Sequence, residues 1–477
     1  MERGWKGRGP WVLMCALVLA LGVFVAGCGG DDEESGGSSS SGQSSSGGGP
    51  DTIRVAILSD CEGAFGAFYE ADIGGAQTVL IDKYGAKAKG KKPSDGLGPA
   101  KVAGKTVEIV GYGCSNDTAD KAIEETRRLM EQEKADILIG PLSGDEGIAV
   151  ANYAKDNPDK TFINGTSGAQ DTTLKVQAPN FFRFHPDGAQ WSAGLGDYAY
   201  NKLGWKNAAI IGDDYSFPYT SLAGFVAEFC AIGGQIPKRV WAPLGEEDYS
   251  SYISQIPKDV DGLYVGIGGS GLISFIKQYE EQRGRVDTER MLGNVFWDDP
   301  LVLKEVGKSL VGGVTSAMTA ADSDSPEVAA YIQGLKDNYG DEIAGAGPSV
   351  FTYGYYTGMT ALIKALEASG GDVADQSKLQ AELAKTTLSG DEAPWGDVKL
   401  DANRQAISNV FLKKIVEDTT GDGVPDVQTF AQVNDVDQTF NGAFSADTPA
   451  PDRENPKCEA GEAPPWVGKS ETVSFAK

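Results

Sequence analysis

The sequence predicts an α/β fold of two Rossmann-like lobes with parallel sheets joined by crossover strands. Three observations carry this. Short, nearly continuous apolar runs such as Ile53-Arg54-Val55-Ala56-Ile57-Leu58 fit strands covered on both faces. Helical stretches separate these runs, which makes successive strands parallel. The alternation then restarts after Phe181-Phe182-Arg183-Phe184, so two units of similar plan lie in tandem.

In the first unit strands are expected at 53–58, 106–110, 136–140 and 161–163. Helices are expected at 69–83, from a cap at Asp117 or Thr118 through Met130, and at 147–155. The second unit begins with a helix at 191–202, then a strand at 208–211 and a helix at 219–232. Strands at 236–241, 262–267, 291–296 and 313–318 complete it. Three helices without strands follow, at 326–339, 350–369 and 377–386, and then strands without helices at 398–400, 408–416 and 427–433. Surplus helices and surplus strands mean that the chain crosses back. Residues 51–186 with 319–390 form a first lobe, 187–318 with 391–445 a second, and 446–477 a Pro-rich tail. Lobes joined in this way enclose a cleft.

Residues 1–27 read as an export signal: Arg3, Lys6 and Arg8 precede an apolar run at 11–26, too short for a spanning helix of roughly 20 residues. The run ends in Val25-Ala26-Gly27-Cys28, which resembles a bacterial lipobox and makes Cys28 the expected lipidated N-terminus. Residues 28–50, Gly/Ser-rich and acidic, lack side chains large enough to pack and form a flexible tether. The expected location is therefore outside the cytoplasm, held to the cell membrane by lipid. The net charge of −26 argues against nucleic acid, which needs clustered Lys and Arg. The single histidine, His185, excludes a His-rich metal site.

Ligands of parallel sheets bind beyond the carboxyl ends of strands. Those ends here carry hydroxyls, glycines and acids: Gly140-Pro141-Leu142-Ser143-Gly144, Asn164-Gly165-Thr166-Ser167-Gly168-Ala169, Asp213-Asp214-Tyr215 and Trp297-Asp298-Asp299. Such groups suit a small polar metabolite. With GPLSGDEG, FINGTSGAQDTT, DDYSFPYTSLAGFVAEF and VFTYGYYTGMTALIKAL in this order, residues 51–445 resemble the type I solute-binding proteins of ABC importers, the leucine/isoleucine/valine-binding group. The resemblance implies a non-enzymatic, extracytoplasmic binding subunit that docks on a membrane permease, with no cofactor and no metal. It places Ser143 and Gly144 on a ligand carboxylate, and Gly165, Thr166, Ser167 and Ala169 beside them. It places Tyr215 against the ligand from the second lobe and makes Asp298, or its neighbour Asp299, the acid for an amino group. An amino acid or a related amide or acid is then the expected ligand.

Other readings stay in view. GIGGSG at 266–271, with Asp287 and Glu289 about 20 residues on, matches a dinucleotide fingerprint, although a Gly-rich strand end facing a cleft explains it equally. GTSGA at 165–169 narrowly misses a nucleophile elbow, and an amidohydrolase-like enzyme built on it needs His185 as base. A ligand sensor of the same fold is the third reading. The stretch 418–426 resembles a calcium loop, but Thr429 stands where a bidentate Glu belongs, so a hairpin turn is expected. Cys61, Cys114, Cys230 and Cys458 allow three pairings. Cys61–Cys114 is expected because both follow neighbouring strands, and Cys230–Cys458 because it staples the tail down.

Overall fold

The computed structural model describes residues 51–475. The signal segment, the tether with Cys28, and residues 476–477 lie outside the described residues. The first sheet takes β1 (Thr52–Asp60), β2 (Ala100–Val102), β3 (Lys105–Ser115), β4 (Ile137–Ile139), β5 (Thr161–Ile163) and β6 (Phe181–Phe182) in the order β2-β3-β1-β4-β5-β6. All its pairings are parallel except the β2–β3 edge hairpin. Strand β1 is buried on both faces: Ile53, Val55 and Ile57 enter one apolar core, Ala56 and Leu58 the other. The helices between these strands are α1 (Tyr69–Tyr84), α2 (Ala119–Arg127), α3 (Gly144–Asp156) and α4 (Asp171–Leu174). Thr118 caps α2 through its side chain.

The second unit carries α5 (Gly188–Trp191), α6 (Leu195–Asp197), β7 (Asn207–Asp213), α7 (Ser216–Ala231), β8 (Gln235–Ala242), α8 (Ser250–Gln255), β9 (Gly262–Gly266), α9 (Gly269–Arg283), β10 (Met291–Gly293), α10 (Pro300–Leu310) and β11 (Val314–Ala317). The single helix expected over 191–202 is broken. The cause is Glu228, whose buried carboxylate accepts from Gly194 N at 2.8 Å and Gly196 N at 3.0 Å. Gly194 meets this demand with a φ of 86°, a conformation glycine adopts freely.

Helices α11 (Pro326–Tyr339), α12 (Asp341–Ala346), α13 (Val350–Ser369) and α14 (Gln376–Leu383) return to the first lobe, where α11 and α13 pack on α1. Then β12 (Lys399–Leu400), β13 (Ala406–Val416), β14 (Asp426–Val436) and β15 (Glu471–Thr472) extend the second sheet, β15-β14-β13-β11-β10-β9-β7-β8, with β12 beside β13. The chain thus passes between lobes after β6, after β11 and after α14. The C-terminal stretch is folded down on the second lobe: Cys230 and Cys458 form a disulfide, and Trp466 Nε1 donates to Glu228 at 2.6 Å. Cys61 and Cys114 form a second disulfide at the ends of β1 and β3. Between β13 and β14, Asp418 accepts from Gly421 N and Gly423 N, while Asp426 accepts from Thr419 N and Thr420 N, so the 418–426 stretch is a hairpin turn.

At the crossings a fully buried Arg183 organises a polar network. Its Nη1 donates to Ser167 O at 3.0 Å and Ala169 O at 2.7 Å, its Nη2 to Thr173 at 2.9 Å, and its Nε to Gln405. Asp187 balances its charge at 3.6 Å. Gln405 passes the network on to His185 O and Gln190, and Gln190 to Ala406 O and Val436 O. The guanidinium therefore ties the β5 and β6 ends of the first lobe to β13 of the second.

Candidate functional site

The carboxyl ends of both sheets meet at a small, nearly filled cavity of about 10 Å³. The first lobe supplies Phe65, from the turn after β1, with Leu142, Ser143 and Gly144 at the start of α3. Thr166 and Gly168, from the loop after β5, and Phe351, from the first turn of α13, complete that wall. The second lobe supplies Trp191, Tyr215, Phe217 and Phe296. The walls are aromatic and interlocked: Phe65 stacks on Phe296 at 5.5 Å, Phe296 meets Phe351 at 5.0 Å, and Phe217 stands edge-on to both Trp191 and Phe296.

Gly168 is glycine for want of room. A Cβ there stands 2.6 Å from the Phe217 ring and 2.8 Å from the Trp191 ring.

Ser143 is the site's polar focus. It is the N-cap of α3 with φ −75° and ψ 153°, yet its side chain caps nothing. The hydroxyl is buried and has no hydrogen-bond partner. The first N–H groups of a helix have no intrahelical acceptor and carry the positive end of its dipole, so α3 presents a donor-rich, anion-favouring terminus here. Trp191 Nε1 is a second buried donor without a partner. No carboxylate and no cation is among the residues lining this cavity.

The sequence-derived residues divide into two groups. Ser143, Gly144, Thr166 and Tyr215 line the cavity. Thr166 directs its hydroxyl away, to Phe351 O at 2.9 Å. Gly165 lies behind the wall, where a Cβ meets the Tyr355 ring at 2.3 Å. Ser167 donates to Gly144 O at 3.5 Å, and Ala169 gives its carbonyl to Arg183. Asp298, expected on a ligand amino group, is instead ion-paired with the buried Lys413 of β13, outside the cavity. Asp299 caps α10 through Leu301 N at 3.0 Å and accepts from Ser349 Oγ at 3.0 Å, and its burial raises its pKa to about 7. Phe65, Trp191, Phe217, Phe296 and Phe351 were not singled out from sequence.

The remaining motifs find structural employment. The His185 nitrogens bond to Pro186 O and Asn164, and burial lowers its pKa to about 3, so the ring is neutral. It makes no bond to Ser167, and the two do not form a nucleophile–base pair. In GIGGSG, Gly268 N donates to Asp213 at 2.9 Å, and a Cβ on Gly269 falls 2.5 Å from Ala64 O of the other lobe, which leaves no cradle for a pyrophosphate. Several acids with little solvent contact lie at strand ends and helix starts: Asp60 and Asp213 end β1 and β7, Asp117 follows β3, and Glu146 is in the first turn of α3. Desolvation raises Asp213 and Asp117 to about 8 and Glu146 to about 7, and raises Asp60 as well. A wider opening outside the cavity is lined by Asp117, Asp145 and Asp214, the last paired with Arg453.

A family model described as periplasmic binding protein matches residues 52–421. The Leu/Ile/Val-binding protein homolog 6 of Brucella melitensis is 23% identical over 342 residues, 70% of this chain and 84% of that protein. Among solved structures, an ABC transporter substrate-binding protein from Sphaerobacter thermophilus superposes with a TM-score of 0.69 at 23% identity, over 81% of this chain and 99% of its own. A solute-binding protein of an ABC transporter from R. palustris, in complex with benzoate, gives 0.66 at 24% identity, over 79% and 95%. Among the described residues no helix is long and apolar enough to cross a membrane.

Proposed function

The chain belongs to the periplasmic binding protein family, and on that premise we propose that it is the lipid-anchored, extracytoplasmic substrate-binding subunit of an ABC importer whose cargo is a small organic acid with an apolar body. The observation that carries this is the Ser143 hydroxyl, buried without a partner at a helix N-terminus inside an aromatic cage between two lobes. A buried polar group left unsatisfied costs about 1–3 kcal/mol. Once the lobes part to admit it, a ligand carboxylate offers Ser143 and Trp191 Nε1 the acceptors they lack, while Phe65, Phe217, Phe296 and Phe351 cover an apolar ring or chain. An α-amino acid fits this cage poorly: its ammonium finds no carboxylate on the walls, because Asp298 is held by Lys413 and Asp299 by Leu301 N and Ser349. The benzoate bound by the R. palustris relative has the matching chemistry.

No bond is made or broken in this role. Ligand bridges the lobes, its differential affinity shifts them toward the closed form, and the closed form docks on the permease. Lipid on Cys28 and the Gly/Ser tether hold the body near that permease.

The test is a thermal-shift panel on purified protein with benzoate, hydroxylated benzoates, leucine and simple amides. A ligand at about 100 times its Kd adds ~2.7 kcal/mol of stability. Benzoates are expected to raise the unfolding temperature and leucine to leave it unchanged; the reverse result rules out the ammonium-free cargo. The anchor is checked by fractionating cells that carry Cys28→Ser: the variant is expected to leave the processed membrane fraction, and processed protein retained there counts against lipidation.

A further inference from the structure

Two contacts across the cleft have the same construction in opposite directions. On the first lobe, Asp145 lies in the first turn of α3. It accepts a hydrogen bond at 3.2 Å from Ser216 N, the first residue of α7 on the second lobe. The α7 cap residue, Tyr215, makes no side-chain capping bond of its own. A helix start of this kind leaves its first N–H groups without intrahelical acceptors. The side-chain carboxylate that serves this helix start comes from the opposite lobe. On the second lobe, Asp299 caps α10 and also accepts at 3.0 Å from the hydroxyl of Ser349, which is the cap of α13 on the first lobe. Neither Asp145 nor Asp299 lines the ligand cavity.

Resting on the ligand-capture role proposed above, we infer that Asp145 and Asp299 form a reciprocal latch that sets ligand affinity from outside the cavity by holding the lobes closed through each other's helix starts. When the lobes part, α7 loses its carboxylate cap and Asp299 loses Ser349, while α10 keeps its own cap through Leu301 N. These hydrogen bonds thus exist only in the closed arrangement. Interactions made in one of two states shift the balance by their full differential value. Apparent affinity then scales with the fraction of molecules that are closed. Asp145 and Asp299 are positioning residues: they touch the lobes and not the cargo. Gly269 supports the reading, because a Cβ there meets Ala64 O of the other lobe at 2.5 Å, so the same seam admits no added bulk.

The test uses full-length protein in detergent, with fluorophores on exposed positions of the two lobes, and compares wild type with Asp145→Ala, Asp299→Ala, the double variant and Asp145→Asn. The lobe–lobe distance is read without and with benzoate, and the benzoate Kd is measured alongside. Each alanine variant is expected to weaken benzoate binding about three- to tenfold and the double variant more, with the distance distribution moved toward open. Asp145→Asn keeps an acceptor oxygen and is expected to lie nearer wild type, a distinction that loss of fold does not produce. Wild-type distances and wild-type Kd in the double variant overturn the latch. If benzoate fails to bind wild type, the cargo assignment falls while the distance readout still decides the latch: an opened double variant supports it, and an unchanged one overturns it.

Discussion

The hinge and the cleft treat their buried polar groups in opposite ways. At the hinge all three Arg183 nitrogens donate, Asp187 stands beside the charge, and Gln190 and Gln405 extend the bonding to the second lobe. In the cleft the Ser143 hydroxyl and Trp191 Nε1 are buried with nothing to bond. The contrast separates what a group does by whether it is satisfied. Satisfied groups fix the chain's path where it crosses between lobes. Unsatisfied ones, about 1–3 kcal/mol each, are a standing cost to the folded protein that a ligand can remove.

The largest expected effect breaks the hinge. Arg183→Met removes the buried cation and strands Asp187 without a counter-charge. Breaking a buried pair from one side costs about 3–5 kcal/mol. Urea unfolding is expected to show that loss; a change below about 1 kcal/mol would mean that the hinge network does not hold the lobes.

A smaller effect sharpens the cleft side. Asp213, Asp117, Glu146 and Asp299 are raised to about 8, 8, 7 and 7, in each case chiefly by desolvation. In the unfolded chain these groups return to about 4. Between these values the folded protein holds protons that the unfolded chain has released, so stability falls as pH rises. This contribution is fully present below about pH 4 and is lost by the time pH has passed the folded values near 8. Unfolding temperature is expected to drop by roughly 2 °C or more from pH 5.5 to pH 8.5. A flat or rising profile over that window contradicts the raised values of these four acids.

Much of the fold was legible because its signals are local. The apolar run at 53–58 is covered on both faces, and the strands expected at 408–416 and 427–433 lie within β13 and β14. The helix expected over 191–202 failed for a nonlocal reason, since Glu228, far along α7, takes the N–H groups of Gly194 and Gly196. The site divides in the same way. Ser143 and Tyr215 follow strand ends and could be read there. Asp298 could not be excluded locally, because the cation that occupies it, Lys413, comes from a strand 115 residues on. The aromatic cage was missed because Phe65, Trp191, Phe217, Phe296 and Phe351 come from five separate elements, and each alone reads as a core residue. The clue was position: Phe65 and Phe217 follow within five residues of the carboxyl ends of β1 and β7.

The central claim is that the Ser143 hydroxyl serves the ligand and not the fold, and one paired measurement on Ser143→Ala tests it most directly. Unfolding of ligand-free protein and calorimetric titration with benzoate are read on the same preparation, beside wild type. Removing an unpaired buried hydroxyl is expected to leave stability unchanged or slightly raised, while benzoate affinity falls by about 1–3 kcal/mol. A variant that loses stability and binds benzoate as tightly as wild type would show that the hydroxyl belongs to the fold and that the cargo sits elsewhere.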